Sequence, residues 1–283
     1  LVHATLTGFG TTGPDAWRPG YDVTAFFGRS GLYDAMREGD DGDVPQARPA
    51  QGDHTTGLAL VAGILAALRQ AESSGEGQTI ETSLYETAVW TQASDYATTA
   101  NDLAPVRKRA RRNLLTPTAN RYPCGDGKWV VFNMPGPEQW PAFCVALGLS
   151  HWLEEDKYAT GKGRYDHMPE LTDGVDQALA RRNRDEWGPI FDDAGLIWGP
   201  VLGLHEVPSD PQAKAINLFP TMHNEEFGEY KTVGIPIRFG QADVRPRHSA
   251  PRLGQNSTAI LQELGMDKAT IQALIQKGVV NPL

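Results

Sequence analysis

At 283 residues, 40% of them apolar, the chain is long enough for two domains with sizeable cores, and its 30 glycines and 20 prolines make it turn-rich without reaching the level of low-complexity disorder. The net charge of −9 argues against broad nucleic-acid binding, and two cysteines, Cys124 and Cys144, exclude a disulfide framework and match no zinc spacing. The longest apolar run, residues 58–68, is too short to span a bilayer and no signal peptide is visible, so the expectation is a cytoplasmic protein with neither membrane nor nucleic acid as partner.

Residues 1–7 alternate apolar and polar and end at Gly8, which predicts a short strand running into a glycine- and proline-rich loop over residues 8–20. Residues 21–33 predict a helix with Val23, Phe26 and Phe27 on one face, and residues 38–51 a surface loop. After Asp53, the residues Leu58, Val61, Ile64, Leu65 and Leu68 repeat at helical spacing with alanine and glycine between them. That is the pattern of a helix buried on most sides, ended by the SSGEG stretch at 73–77. A brief extended segment at 78–81 and a second helix over 83–99 follow, then a linker whose basic run at 107–112 (RKRARR) reads as exposed charge.

Beyond it, residues 129–132 predict a strand entered from the Gly125-Asp126-Gly127 turn, and residues 138–147 an amphipathic helix presenting Trp140, Phe143 and Leu147. Helical patterns recur at 168–179 and 184–191, a late strand is expected at 233–237, and two helices close the chain at 256–264 and 268–277. Strands alternating with helices at both ends of a mixed middle give an α/β fold with a smaller inserted domain.

Few motifs carry chemistry. Gly8-x-Gly10-x-x-Gly13 spells the dinucleotide fingerprint, but Pro14 follows where a helix must open, so a plain glycine loop is the better reading. His54, His151, His205 and His223 are scattered, with neither H-E-x-x-H nor Cys-x-x-Cys, and no metal site is expected. No G-x-S-x-G elbow or Walker loop is present. What remains is Gly52-Asp53-His54-Thr55-Thr56-Gly57. Asp53 has two readings there: a helix N-cap accepting amides two and three residues on, or an accessible carboxylate at a helix start whose glycine neighbour admits a substrate to the backbone.

The segments Thr7-Gly8-Phe9-Gly10-Thr11-Thr12-Gly13-Pro14, Gly20-Tyr21-Asp22, Gly52-Asp53 with Gly57-Leu58, Gly75-Glu76-Gly77-Gln78 with Ser83-Leu84, and Pro251-Arg252-Leu253-Gly254-Gln255-Asn256 together resemble the class III CoA-transferases, a family that also includes formyl-CoA transferase, carnitine CoA-transferase and the α-methylacyl-CoA racemases. The resemblance implies a Rossmann-like large domain, incomplete here at the amino end (residues 1–107), a smaller α+β domain (108–205), and a returning linker with C-terminal helices (206–283), in an interlocked homodimer.

It also implies the chemistry. Asp53 matches the family's nucleophile, passing through an acyl-aspartyl anhydride and an aspartyl-CoA thioester, with Tyr21, Gly8, Gly10, Gly52 and His54 as candidate substrate or CoA contacts. Coenzyme A thioesters and carboxylic acids are then substrates, and no permanent cofactor is expected. The racemases place a histidine where this chain has Tyr21, and a phenol is a poor base at neutral pH, so transfer is preferred to racemisation. Formyl-CoA transferase carries a glycine-rich loop where this chain reads Asn113-Leu114-Leu115-Thr116-Pro117-Thr118, which points to an acid bulkier than formate or oxalate. A racemase on the same fold and a truncated, inactive CoA-binding module are the alternatives.

Overall fold

The computed structural model describes residues 1–101 and 108–281, and these fall into two units, Leu1–Val201 and Leu202–Leu283. Arg107 of the basic run, with which the expected large-domain part ends, lies outside the described residues.

The first unit opens with β1 (His3–Thr7), whose alternating pattern pairs in parallel with β2 (Thr79–Ser83), His3 opposite Thr79 and Thr7 opposite Ser83. Parallel neighbours need a long crossover. Here it consists of the glycine loop, a π-helical segment (Asp22–Arg29), α1 (Leu32–Ala35), a polar loop and the 24-residue α2 (Gln51–Ser74). The helix expected over 21–33 is thus a wide π turn followed by a short α turn, broken at Gly31 with φ +78°. Gly75, at φ +76°, ends α2 in the left-handed cap that glycine favours. Ser83 caps α3 (Leu84–Thr91) by accepting the Glu86 N–H, and α4 (Ala93–Thr99) follows after a break at Gln92. There the expected single helix divides, because the Gln92 amide turns back to the Ala88 and Ser30 carbonyls at 3.1 and 3.3 Å. Ala25, Phe26, Phe27, Ala47, Leu84 and Ala88 form the core between these pieces.

The larger core of the unit belongs to an antiparallel sheet of β3 (Arg121–Pro123), β4 (Trp129–Phe132) and β5 (Trp198–Val201), in the order β3-β4-β5. The Gly125–Gly127 turn closes the β3–β4 hairpin, with Gly127 at φ +75°. Helices α5 (Trp140–Ala146), α6 (Gly161–Asp166), α7 (Met168–Leu179) and α8 (Arg184–Asp193) accompany it. On α7 the buried Met168, Leu171, Thr172, Val175, Ala178 and Leu179 recur at the spacing of one helical face. Trp140, Phe143 and Leu147 are buried as their pattern predicts. Phe132 meets Phe143 and Phe191 edge-on at 5.2 and 5.0 Å, the geometry that aromatic quadrupoles favour.

Two expectations for this unit are corrected. The basic run is not free charge: Lys108 pairs with Asp34 at 2.9 Å, Arg111 with Asp176 and Arg112 with Asp173, and Arg109 lies over the Tyr165 ring. Nor is α2 buried on most sides. Only Gly52, Thr56 and Ala67 are buried, while Leu58, Val61, Leu65 and Leu68 form an exposed apolar stripe. Hydrophobic periodicity shows which side chains favour burial, but it does not supply the surface that covers them.

The second unit holds α9 (Pro211–Ala215), a hairpin of β6 (Thr221–Asn224) and β7 (Gly228–Lys231), and the closing helices α10 (Ser257–Glu263) and α11 (Lys268–Gln276). The strand expected at 233–237 does not form. Thr232 and Gly234 donate to the Pro220 and Leu218 carbonyls at 3.1 and 2.8 Å, but Pro236 has no N–H to continue a ladder. The protein is mixed α/β, and its second unit carries an antiparallel hairpin rather than a strand–helix alternation.

Candidate active site

The loop after β1 reaches the start of α2 through a line of close backbone contacts. Gly8 and Gly20 touch so closely that a Cβ on Gly8 would stand 2.6 Å from the Gly20 Cα. The Gly8 carbonyl accepts the Tyr85 N–H at 3.1 Å, which ties the same point to the start of α3. The loop is held further by Asp15, whose carboxylate pairs with Arg29 at 2.8 Å.

Gly20 leads into Tyr21 and Asp22, where the π-helical segment begins. Tyr21 is 74% exposed, and its N–H donates to Thr24 Oγ1 at 3.0 Å. Asp22 is turned inward instead, and its Oδ1 accepts the Gly52 N–H at 2.9 Å. A Cβ on Gly52 would lie 2.2 Å from Phe26 Cγ and 2.3 Å from Asp22 Oδ1, so only glycine lets α2 begin this close to the π turn. Ala50, immediately before the helix, is held at φ +72°. Left-handed backbone is costly for a residue with a Cβ and persists where its surroundings over-determine it.

Asp53 lies in the first turn of α2. It is not the N-cap. That position is Ala50, with no side-chain capping bond, and Asp53 is the third residue of a helix that begins two residues earlier. Its carboxylate is exposed and has no hydrogen-bond or ion-pair partner among the described residues, while the helix amides beside it make the local field favourable to an anion. His54 is also exposed, and its N–H closes the first α turn onto the Ala50 carbonyl at 3.0 Å.

Gly8, Tyr21, Gly52, Asp53 and His54 are therefore linked in one neighbourhood through Gly20 and Asp22. Among the described residues Gly10 makes no hydrogen bond into it: its N–H donates to Thr7 Oγ1 at 2.9 Å and its φ of +102° serves the turn. Sequence reasoning missed the role of Asp22. The available signal was an aspartate two residues after a glycine, next to Phe26 and Phe27 and opposite a second Gly-Asp pair, but the pairing of the two is visible only in the fold. Among the described residues, no group of three or more histidine, cysteine or acidic side chains is arranged to hold a metal, and no helix is long and apolar enough to cross a membrane.

Comparison with known proteins places these residues in a family. The model of CoA-transferase family III matches residues 1–257, and the chain belongs to that family. It is 28% identical to the (R)-2-hydroxy-4-methylpentanoate CoA-transferase of Clostridioides difficile, over 99% of this chain and 70% of that protein. It is 30% identical to the cinnamoyl-CoA:phenyllactate CoA-transferase of Clostridium sporogenes, over 97% of this chain and 67% of that one. A CAIB/BAIF family protein from Brucella suis, solved by crystallography, matches with a TM-score of 0.80 at 25% identity, over 93% of this chain and 68% of the other. The chain thus spans about two thirds of the length of these relatives. With the family comes the reaction class, that of an enzyme acting as a CoA-transferase.

Proposed function

We propose that the Asp53 carboxylate is the nucleophile that carries CoA from an acyl-CoA donor to a carboxylic acid. The observation that supports this is its combination of exposure, lack of a polar partner among the described residues and fixed backbone position in the first turn of α2. A carboxylate needs no general base at neutral pH. One oxygen of Asp53 attacks the thioester carbonyl of the donor and the CoA thiolate leaves, giving an acyl-aspartyl anhydride. The thiolate attacks the aspartyl carbonyl and expels the donor acid, leaving an aspartyl-CoA thioester. The acceptor carboxylate attacks that thioester, CoA leaves again, and its return to the acceptor carbonyl releases the new acyl-CoA and restores Asp53. One thioester is broken and one is made, so no other energy source and no resident cofactor enter the balance.

Tyr21, Gly8, Gly52 and His54 line the approach in this reading, with Gly10 shaping the loop. The exposed Tyr21 phenol favours transfer over racemisation, and the transferase names of the relatives point the same way. Two of those names specify 2-hydroxy acids with a branched or aromatic side chain, which supports an acceptor of that class here. The uncovered stripe of Leu58, Val61, Leu65 and Leu68 supports assembly as a homodimer, since exposed apolar patches of this kind mark interfaces. The division into a large-domain part (1–107), a small domain (108–205) and a returning arm (206–283), with the large domain Rossmann-like and the protein cytoplasmic, completes the proposal.

Asp53→Asn in the full natural protein is the test. A fall in kcat of about a thousandfold or more is expected, together with loss of a CoA adduct on residue 53 in quenched reactions analysed by mass spectrometry. Activity within about tenfold of wild type would refute the role.

A further inference from the structure

We infer that Asp22 is the positioning residue that aims the nucleophile, acting on Asp53 through the Gly52 amide. The inference rests on Asp53 being that nucleophile and adds what holds it. The Asp53 side chain touches no polar partner among the described residues, so its orientation has to come from its backbone. Among the described residues, one bond from outside the helix reaches that backbone, from the Gly52 N–H to Asp22 Oδ1 at 2.9 Å, across thirty residues of chain and one peptide away from Asp53. The first amides of a helix lack partners within it, so this acceptor does what a local cap does elsewhere.

The acceptor is buried. Asp22 is only 5% exposed, and its second oxygen, Oδ2, is buried without a hydrogen-bond partner. Buried polar atoms are nearly always satisfied, and an exception calls for an explanation. The bond that its other oxygen accepts from the Gly52 N–H is what keeps this side chain turned inward at the helix start. The neighbouring geometry points the same way: Gly52 has no room for a Cβ against Phe26 and Asp22, and Ala50 is held left-handed two residues earlier. Three constraints converge on one helix start, and Asp53 projects exposed from it. Attack on a thioester carbonyl tolerates little error in approach, and a misplacement of about 1 Å lowers rates by about a hundredfold.

The test uses Asp22→Ala and Asp22→Asn in the full natural protein, with single-turnover formation of the residue-53 CoA adduct followed by quenching and mass spectrometry. Asp22→Ala is expected to slow adduct formation and kcat by about tenfold to a hundredfold, with KM for the acyl-CoA changing less than about threefold. Asp22→Asn keeps an oxygen for the Gly52 N–H and is expected to restore the rate to within about fivefold of wild type. Adduct formation at the wild-type rate in Asp22→Ala overturns the inference, as does an asparagine variant as slow as the alanine one.

A wild-type measurement keeps the test independent of whether the variants fold. The Gly52 amide is expected to be protected from hydrogen exchange like the helix interior, and rapid exchange there overturns the inference. Absence of any adduct on residue 53 in the wild type refutes the nucleophile assignment itself, so the two failures are distinguishable.

Discussion

The Arg111 guanidinium and the Asp176 carboxylate meet through two parallel bonds of 2.7 Å, Nη1 to Oδ1 and Nη2 to Oδ2. The same guanidinium lies 5.6 Å from the centroids of both the Tyr122 and Trp129 rings, and Asn120 Nδ2 donates to the Arg111 carbonyl at 3.0 Å. One side chain thus fastens the segment entering the β3–β4–β5 sheet to α7. Arginine is suited to this because its planar fork matches a carboxylate and stacks on aromatic faces, and lysine does neither. Arg111→Lys is expected to lower stability by about 1–3 kcal/mol, read from the urea midpoint at constant slope. An unchanged midpoint would show that the fork contributes nothing.

Glycines in α2 give a paired prediction. Gly52 has no space for a methyl group, which would stand 2.2 Å from Phe26 Cγ, whereas a Cβ on Gly57 meets nothing within 4 Å. Gly52→Ala is therefore expected to destabilise by about 1–3 kcal/mol through overpacking. Gly57→Ala is expected to stabilise by about 0.5–1 kcal/mol, because alanine restricts the unfolded chain and favours the helix. Thermal melts of the two variants moving in the same direction would contradict the packing described here.

How much of this was legible beforehand depended on whether the signal was local. The β4 strand at Trp129–Phe132, its glycine turn and the α7 helix at Met168–Leu179 appear where their patterns place them, because each pattern matches the period of its element and each buries the face it marks. The start of α2 was not legible in that way. Asp53 looks like an N-cap because aspartate commonly is one, but the acceptor that serves this helix start sits thirty residues upstream on Asp22, and no local rule connects the two. The basic run failed for the same reason: Asp34, Asp173 and Asp176, which pair with it, are far away in sequence. The π turn at Asp22–Arg29 has a helical pattern but an irregular winding, a feature often found at functional sites.

Cys124 and Cys144 are free and buried. Burial raises their thiol pKa values to about 11 and about 12. The thiolate is the reactive form, so neither cysteine is expected to be alkylated at pH 8 in the native protein, and both should react once denaturant opens the core. Mass spectrometry of iodoacetamide-treated protein before and after denaturation reads this directly. Rapid native labelling at Cys144 would mean that the α5 side of the core is open, and at Cys124 that the end of the β3–β4 hairpin is.

The acid limb of stability follows from two carboxylates. Lys157 donates to Glu170 at 2.8 Å and, with Tyr158, holds that carboxyl below its ordinary value, while Lys108 and Arg37 do the same for Asp34. In both cases the folded pKa lies below the unfolded one, so the stabilisation is fully present above about pH 4.3, the usual glutamate range. It is lost as the pH falls through the folded values. Lys157 shifts the opposite way, upward through its bonds to Glu170, so its share is intact below about pH 10.4 and disappears at higher pH. Both carboxylates are exposed, which keeps each effect small in solvent. Glu170→Gln is expected to flatten the decline of the urea midpoint between pH 5 and pH 3 relative to wild type without changing its slope against urea, and a decline as steep as the wild type's would remove Glu170 from the account.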